Sequence, residues 1–174
     1  MKTAFLFIFT LLTLTSAFAA EPFQAGDQIP EFKMKYATAE AINHDGIGSK
    51  EMLGKKYLIA FYPADWSGGC TKEVCTFRDG ITEFEQLGVE ILAVSGDYIY
   101  SHFQWAQYHK LPFKLLSDAT HEFGQKIGVY NPNSGMMNRS VFLVNEKGII
   151  IYADYDYSVA DNADLNRLKE ALKN

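Results

Sequence analysis

The chain has 174 residues, 48% of them apolar and 14% aromatic, which is enough for one domain to form around its own hydrophobic core. This composition excludes disordered and fibrous classes, and the length excludes a multi-domain protein. The formal net charge of −5 repels nucleic-acid phosphates and anionic membrane surfaces, so we expect neither as a partner.

The first 19 residues have the pattern of a secretion signal. Lys2 precedes an apolar run from Ala4 to Leu14, and Ala17-Phe18-Ala19 provides the small-x-small site that signal peptidases cleave. The alternative is a membrane anchor, but a span needs about 20 apolar residues and this run is shorter. We therefore predict a signal peptide over residues 1–19 and a single domain over residues 20–174. The mature protein should be periplasmic or secreted, without membrane insertion.

Strand patterns recur along the rest of the chain. Phe32–Tyr36 alternates apolar and charged residues, as a half-buried strand does. Tyr57–Tyr62, which is followed by Pro63, is a continuous apolar run, typical of a strand buried on both faces, and Val89–Ser95 repeats this buried-strand pattern. Further strands are predicted at Phe113–Leu116, Ser140–Val144 and Ile149–Tyr155, the last two as an antiparallel hairpin.

Helix patterns lie between these strands. Apolar residues three or four positions apart predict helices at Cys70–Leu87, Tyr100–Lys110, His121–Ile127 and Asp164–Leu172. Gly88 should end the first of them, and Gly46–Gly54 and Gly128–Gly135 are predicted as loops, the former with at most one helical turn. The order of elements predicts an α/β protein of thioredoxin-like fold, with a mixed central sheet flanked by helices.

The segment from Pro63 to Cys70 is where we expect chemistry. It leaves a buried strand, turns through Gly68 and Gly69, and places Cys70 in or near the first turn of a helix. A helix N-terminus or a nearby cation lowers the pKa of a cysteine thiol and so increases the reactive thiolate. The alternative is that the glycines only make a tight turn and that Cys70 is a small buried residue.

Cys70 and Cys75 are the only cysteines in the sequence, so a framework of stapling disulfides is absent. Residues five apart on a regular helix have Cα atoms roughly 8–9 Å apart, whereas a disulfide needs about 4.4–6.8 Å. A bridge between the two thiols would require the first turn or two of the helix to unwind. The spacing therefore suits a transient bridge better than a permanent one.

Pro63, Ser67 and Cys70 have the spacing Pro-x-x-x-Thr/Ser-x-x-Cys, and in this motif the chain resembles the peroxiredoxins. The string from Cys70 to Asp79 resembles the bacterioferritin-comigratory-protein subgroup, in which a second cysteine follows five residues after the first. Similar segments occur downstream, at Val94–Asp97, Leu116–Asp118 and Arg139–Val144. Two positions depart from the pattern. Ser67 stands where threonine is commoner, which keeps the hydroxyl but loses a methyl that would orient it, and Gly68 stands where proline is frequent, which should make the loop more flexible.

The resemblance implies a thiol-dependent peroxidase for hydrogen peroxide and organic hydroperoxides, with no metal, flavin or nucleotide cofactor. Cys70 would attack the peroxide and become a sulfenic acid, and Pro63 would shield that oxidised sulfur. Arg139, Ser67 and the backbone N–H of Cys70 would stabilise the departing oxygen. Cys75 would then form an intramolecular disulfide with Cys70, which an exported thioredoxin-like dithiol would reduce. We expect a monomer or a weak homodimer.

The supporting residues also have structural interpretations. Ser67 could only cap the helix, Pro63 could only end the strand, and Arg139 could be a surface residue. Glu73 would either orient an arginine from behind the site or simply favour the first helical turn by its charge. Arg78 is expected to form a structural ion pair.

Two other functions on the same fold stay open: a copper metallochaperone and a thiol–disulfide oxidoreductase. The former resembles Cys-x-x-x-Cys-Pro and the latter Cys-x-x-Cys, whereas four residues separate Cys70 from Cys75 and no proline follows. The histidines have no paired metal-ligand spacing, and each is expected to be a surface or hydrogen-bonded core residue: His44, His102, His109 and His121.

Overall fold

A seven-stranded mixed sheet forms the centre of the protein in the computed structural model, which describes residues 21–160 and 162–173. The strands in chain order are β1 (Lys33–Ala37), β2 (Ile42–Gly48), β3 (Lys56–Phe61), β4 (Val89–Ser95), β5 (Lys114–Ser117), β6 (Tyr130–Asn131), β7 (Met136–Met137), β8 (Ser140–Val144) and β9 (Ile150–Asp154). The main sheet has the order β2-β1-β5-β4-β3-β8-β9, and β6 and β7 form a separate two-stranded sheet. The predicted signal peptide lies outside the described residues.

The strand directions determine which loops meet. β3, β4 and β5 are parallel to one another, and the other neighbours in the main sheet pair antiparallel. The register of β3 with β8 sets Phe61 opposite Ser140. Arg139 directly precedes β8. It therefore lies beside the segment that leaves β3, at the end of the sheet where β3 finishes and β8 begins. The prediction of a mixed sheet is confirmed.

Helices cover both faces of this sheet, as α1 (Gly68–Asp79), α2 (Ile81–Gln86), α3 (Ile99–His109), α4 (Glu122–Ile127) and α5 (Ala163–Leu172). On one face, Leu58 and Ala60 of β3 pack in a cluster with residues of α1, α2, α3 and α5. On the other face, Tyr57 and Ile59 pack with α4. Alternate residues of β3 thus enter opposite cores, which confirms the prediction of a strand buried on both sides. Among the described residues, no helix is both long and apolar enough to cross a membrane.

The prediction of a loop at Gly46–Gly54 is wrong in its first part, because Gly46–Gly48 belong to strand β2. β2 is an edge strand with several exposed polar residues, so it lacks the apolar pattern on which a strand prediction depends. At Gly46, φ is 78° and an added Cβ would lie 2.5 Å from the carbonyl oxygen of Met34. Glycine is needed there because β1 comes so close, next to an irregularity in the β1–β2 register.

The predicted helix from Cys70 to Leu87 is two helices, α1 and α2, which meet at Gly80. The apolar stripe continues across the break, since Phe77 and Phe84 enter the same core with their rings edge to face at 6.0 Å. Periodicity therefore cannot reveal the interruption. The predicted end at Gly88 is confirmed, because α2 stops there with Leu87 as its cap and Gly88 at φ 66°.

Candidate active site

The loop between β3 and α1 presents the candidate nucleophile at the start of a helix. Pro63 is half-buried two residues after the end of β3, and Ser67 is the N-cap of α1. The Ser67 Oγ accepts a hydrogen bond of 3.4 Å from the backbone N–H of Cys70, which is the third residue of the helix. Ser67 thus caps the helix, and the Cys70 N–H, to which the family resemblance assigns a departing oxygen, donates to this side chain instead.

The thiol of Cys70 lies against a guanidinium. Cys70 is free and 1% exposed, and Arg139 Nη2 donates to its Sγ over 3.5 Å. Gly69 provides the room for this contact, because a Cβ at that position would lie 3.3 Å from Arg139 Nη2. Gly68 is exposed, and a Cβ there would have no neighbour within 4 Å. The sulfur is therefore buried against the guanidinium, and of the two glycines only Gly69 lies close to Arg139.

Arg139 is held by a second residue of α1, Glu73. The carboxylate of Glu73 forms an ion pair and hydrogen bond with Arg139 Nη1, so one guanidinium contacts both Glu73 and Cys70. Glu73 lies three residues after Cys70 on the helix, which puts both side chains on the same face. Arg139 is half-buried, so the interpretation of it as a surface arginine is wrong.

Burial and charge oppose each other at this ion pair. Burial raises the pKa of Glu73 to about 7, against the pull of Arg139, which lowers it. Its second oxygen, Oε1, is buried without a hydrogen-bond partner, which also favours a proton on the carboxyl. Desolvation works to lower the pKa of Arg139, but Glu73 and the Cys70 sulfur outweigh it and raise that pKa above its usual value.

Cys75 lies on the same unbroken helix as Cys70. Its thiol is free and half-buried, and its Sγ is 3.8 Å from Nδ1 of His109, the last residue of α3. Because α1 is continuous from Gly68 to Asp79, the helical spacing keeps the two cysteines too far apart to form a disulfide. A bridge between them requires α1 to open.

Arg78 fills the structural role predicted for it and one more. It forms an ion pair with Asp79 at 2.8 Å, and its Nη1 donates to the backbone carbonyl of His109 over 2.9 Å. This second bond ties the end of α3 to α1. The sequence contained no signal for the contact between His109 and Cys75, because the two residues are 34 positions apart on different helices.

A buried polar network anchors the loop from behind. Asp65 accepts hydrogen bonds from Tyr62 Oη at 2.9 Å and Ser101 Oγ at 2.7 Å, and it pairs with His102 Nδ1 at 2.9 Å. The other ring nitrogen of His102 contacts the carbonyl oxygen of Leu116 at 3.2 Å. The prediction of a hydrogen-bonded core histidine is confirmed at His102, which is fully buried.

The downstream segment that follows β4 also supports the loop. Asp97 Oδ2 accepts from the backbone N–H of Asp65 and from Ser95 Oγ, both at 2.8 Å. Trp66, by contrast, is 54% exposed, with a left-handed backbone at φ 61°. The loop thus carries a fixed inner side and an exposed indole on its outer side.

The described residues contain no group of three or more His, Cys, Asp and Glu side chains that could hold a metal ion. The residues gathered around Cys70 instead form a thiol, a cation and a carboxylate at the N-terminus of a twelve-residue helix. Positive charge beside the sulfur can stabilise negative charge that develops on a reacting oxygen.

Comparisons with known proteins agree with this arrangement. The chain matches the AhpC/TSA family over residues 25–153. It is 33% identical over 130 residues to chloroplastic peroxiredoxin Q of Triticum aestivum, covering 73% of this chain and 57% of that protein. It is 32% identical over 133 residues to the putative peroxiredoxin bcp of Coxiella burnetii, covering 73% of this chain and 85% of that one. The chain thus spans under three fifths of the length of the wheat relative.

Solved structures show the same fold. AhpC of Mycobacterium bovis superposes with a TM-score of 0.73 at 30% identity, covering 88% of this chain and 94% of that one. The peroxidoxin BcpB of Mycobacterium tuberculosis gives a TM-score of 0.75 at 23% identity, covering 87% and 97%. The fold, the loop with its cysteine, and the match over most of the sequence lead to one conclusion: the chain belongs to the AhpC/TSA family of peroxiredoxins.

Proposed function

We propose that this protein is a thiol peroxidase that reduces hydroperoxides with Cys70 as its nucleophile. The observation that carries the proposal is the hydrogen bond from Arg139 Nη2 to Cys70 Sγ at the start of α1. The Cys70 thiolate attacks one peroxide oxygen, the O–O bond breaks, and the second oxygen leaves with the electron pair and takes up a proton. The sulfur is oxidised to a sulfenic acid, and the peroxide is reduced to water or an alcohol.

Three groups around the sulfur can serve this step. The guanidinium of Arg139 is a fixed donor that stabilises both the thiolate and the departing oxygen. Ser67 accepts from the helix with its Oγ and still has a hydroxyl proton to donate to a bound peroxide. Pro63 lies half-buried at the start of the loop, where it can limit the access of water to the oxidised sulfur.

We propose that Cys75 resolves the sulfenic acid by forming a disulfide with Cys70, releasing water. The first turn of α1 would have to unwind, and its composition favours that change. Gly68 and Gly69 each cost a helix up to about 1 kcal/mol relative to alanine, and the capping bond from Cys70 to Ser67 is long at 3.4 Å. A thioredoxin-like dithiol would then reduce the bridge in each cycle.

We also propose that the protein is exported, on the pattern of residues 1–19 alone. The reductant would then be an exported dithiol protein. Mass spectrometry of the protein from periplasmic and cytosolic fractions tests this proposal. A periplasmic species that begins at Ala20 is expected, and an uncleaved chain confined to the cytosol would contradict it.

The alternatives differ in what they need at Cys70. A copper site requires the thiolate to bind a cation, and the neighbouring guanidinium of Arg139 repels one. A thiol–disulfide oxidoreductase requires two thiols that bridge without rearrangement, whereas α1 holds these two apart. Both alternatives are therefore less well supported than the peroxidase.

Stopped-flow fluorescence of the purified chain tests the proposed function. The reduced wild type, Cys70→Ser and Cys75→Ser are each mixed with hydrogen peroxide or cumene hydroperoxide. We expect the Cys70 variant to be inactive and the Cys75 variant to consume one equivalent, then to turn over only with a small added thiol. Equal peroxide consumption by all three proteins would overturn the proposal.

A further inference from the structure

The contact between Cys75 and His109 is the feature of the molecule that the steps above leave unused. Cys75 Sγ and His109 Nδ1 are 3.8 Å apart, within hydrogen-bond range for sulfur. The contact is fixed from both sides, since both residues lie on helices and Arg78 of α1 donates to the His109 carbonyl over 2.9 Å. The imidazole is thus positioned against the second thiol rather than the first.

The surroundings of His109 favour its neutral form. Burial is the main cause that lowers the pKa of His109 below its usual 6.5, and the positive charge of Arg78 lowers it further. The ionisable groups facing the ring are Cys75 and Arg78 from α1 and Tyr108 from its own helix, with Asp79 paired to Arg78. Near neutral pH the imidazole therefore has an unprotonated nitrogen available to accept a proton.

We propose that His109 is the catalytic base for the resolving step, taking the proton from the Cys75 thiol so that its thiolate can attack the Cys70 sulfenic acid. The inference rests on the proposed function and extends it. The Cys75 S–H bond breaks and its proton moves to His109 Nδ1. The S–S bond forms as the S–O bond of the sulfenic acid breaks, and the hydroxide that leaves takes a proton, from the imidazolium or from solvent, to become water.

Such a base matters because a free thiol with a pKa of about 8.5 is only a few per cent thiolate near pH 7. Arg139 assists Cys70, but it contacts that sulfur and not the one at Cys75. His109 supplies the second cysteine with an activating group of its own. The competing interpretation is packing alone, because the His109 ring also contacts Trp105 edge to face at 5.8 Å and Tyr108 at 4.8 Å.

Alkylation of Cys75 tests the contact without any peroxide. In a Cys70→Ser background, Cys75 is the only thiol, so its rate with iodoacetamide can be followed by mass spectrometry across pH. We expect His109→Gln and His109→Asn to slow alkylation at pH 7 by about threefold or more. The matched control is His44→Gln, because His44 is an exposed histidine of β2, and it should have no effect. Equal rates with and without His109 would overturn the inference.

Stopped-flow kinetics then tests the role in turnover. In the otherwise wild-type chain, the peroxide-dependent phase should be unchanged in His109→Gln, while the peroxide-independent phase of disulfide formation should slow by about tenfold at pH 7. The wild-type rate of that phase should fall as pH drops through the pKa of His109, and the variant should lack this inflection. An unaltered pH profile would contradict a base and indicate packing. Loss of the peroxide-dependent phase in the wild type would instead refute the proposed function, so the two failures are distinguishable.

Discussion

The guanidinium of Arg139 donates to Cys70 Sγ across 3.5 Å, although the two residues are 69 positions apart in the chain. The antiparallel pairing of β3 with β8 produces this contact, because it aligns the end of one strand with the start of the other. The ion pair with Glu73 then orients the same group from the helix side. The sheet and α1 thus converge on one side chain.

The first prediction concerns Arg139. Arg139→Lys keeps a positive charge but loses the two guanidinium nitrogens that contact Glu73 and Cys70 at the same time. We therefore expect the peroxide-dependent rate constant to fall about a hundredfold. Arg167→Lys, a change in an exposed ion pair, is the control and should react normally. Stopped-flow measurement at several peroxide concentrations gives the rate constant. A fall of less than twofold for Arg139→Lys would show that this donor is dispensable.

The second prediction concerns pH and Glu73, whose pKa is raised by burial to about 7. As pH falls through that value, Glu73 takes up a proton and its hold on Arg139 weakens, so the peroxide-dependent rate should decline. Glu73→Gln should remove this inflection and give a slow rate throughout. The measurement is the rate constant between pH 5 and 9 in buffers of constant ionic strength.

The free energy of unfolding should also depend on the protonation of Glu73. A carboxyl whose pKa is higher in the folded protein than the ordinary 4.5 stabilises the fold most at low pH. The free energy of unfolding of the wild type, relative to Glu73→Gln, should therefore decrease as pH rises from about 4.5 to about 7. Urea denaturation of the two proteins across this range measures the difference, and an increase with pH would contradict the assignment.

The third prediction uses the two glycines as a matched pair. Both occupy the first turn of α1, so alanine at either position should favour the wound helix by up to about 1 kcal/mol and slow disulfide formation. Only at Gly69 would the new Cβ meet Arg139, at 3.3 Å. We expect Gly69→Ala to reduce the peroxide-dependent rate several-fold and Gly68→Ala to leave it unchanged. Equal behaviour of the two variants in that phase would count against a close guanidinium.

The fourth prediction concerns the anchor of the loop. Asp65→Ala removes the shared acceptor of three buried or half-buried groups, so we expect a loss of about 3 kcal/mol or more in the free energy of unfolding. Tyr62→Phe removes one donor and should cost about 1 kcal/mol, which makes it the graded control. Chemical denaturation measures both. A neutral Asp65→Ala would mean that the network does not hold the loop.

The parts of the fold that could be predicted are those in which burial imposes a pattern. β4 has the predicted bounds, because every residue but Glu90 is buried there and four apolar residues follow one another from Ile91 to Val94. β2 could not be predicted, because an edge strand can be polar. The helix break at Gly80 could not be predicted either, because the apolar residues of the core continue at helical spacing across it.

The candidate site divides along similar lines. Cys70 and Ser67 are close in sequence, so a local pattern could indicate them, whereas the role of Glu73 depends on a partner from another strand. The sequence allowed Glu73 either a helix-dipole role or an arginine partner. Because α1 begins at Gly68, Glu73 lies beyond its first turn, and the pairing of β3 with β8 places Arg139 against it. His109 could not be identified beside Cys75, because the packing of α3 on α1 has no local signature.

The position of both cysteines on one helix has a consequence for the oxidised protein. In the proposed cycle, Cys70 can join the bridge only by leaving the guanidinium, so a spent molecule no longer presents the arrangement that accepts peroxide. Competence returns when α1 rewinds after reduction, and the rewinding rate sets a ceiling on turnover. A reductant that binds the unwound segment of α1 would therefore recognise the disulfide form and not the reduced form, before any thiol–disulfide exchange takes place.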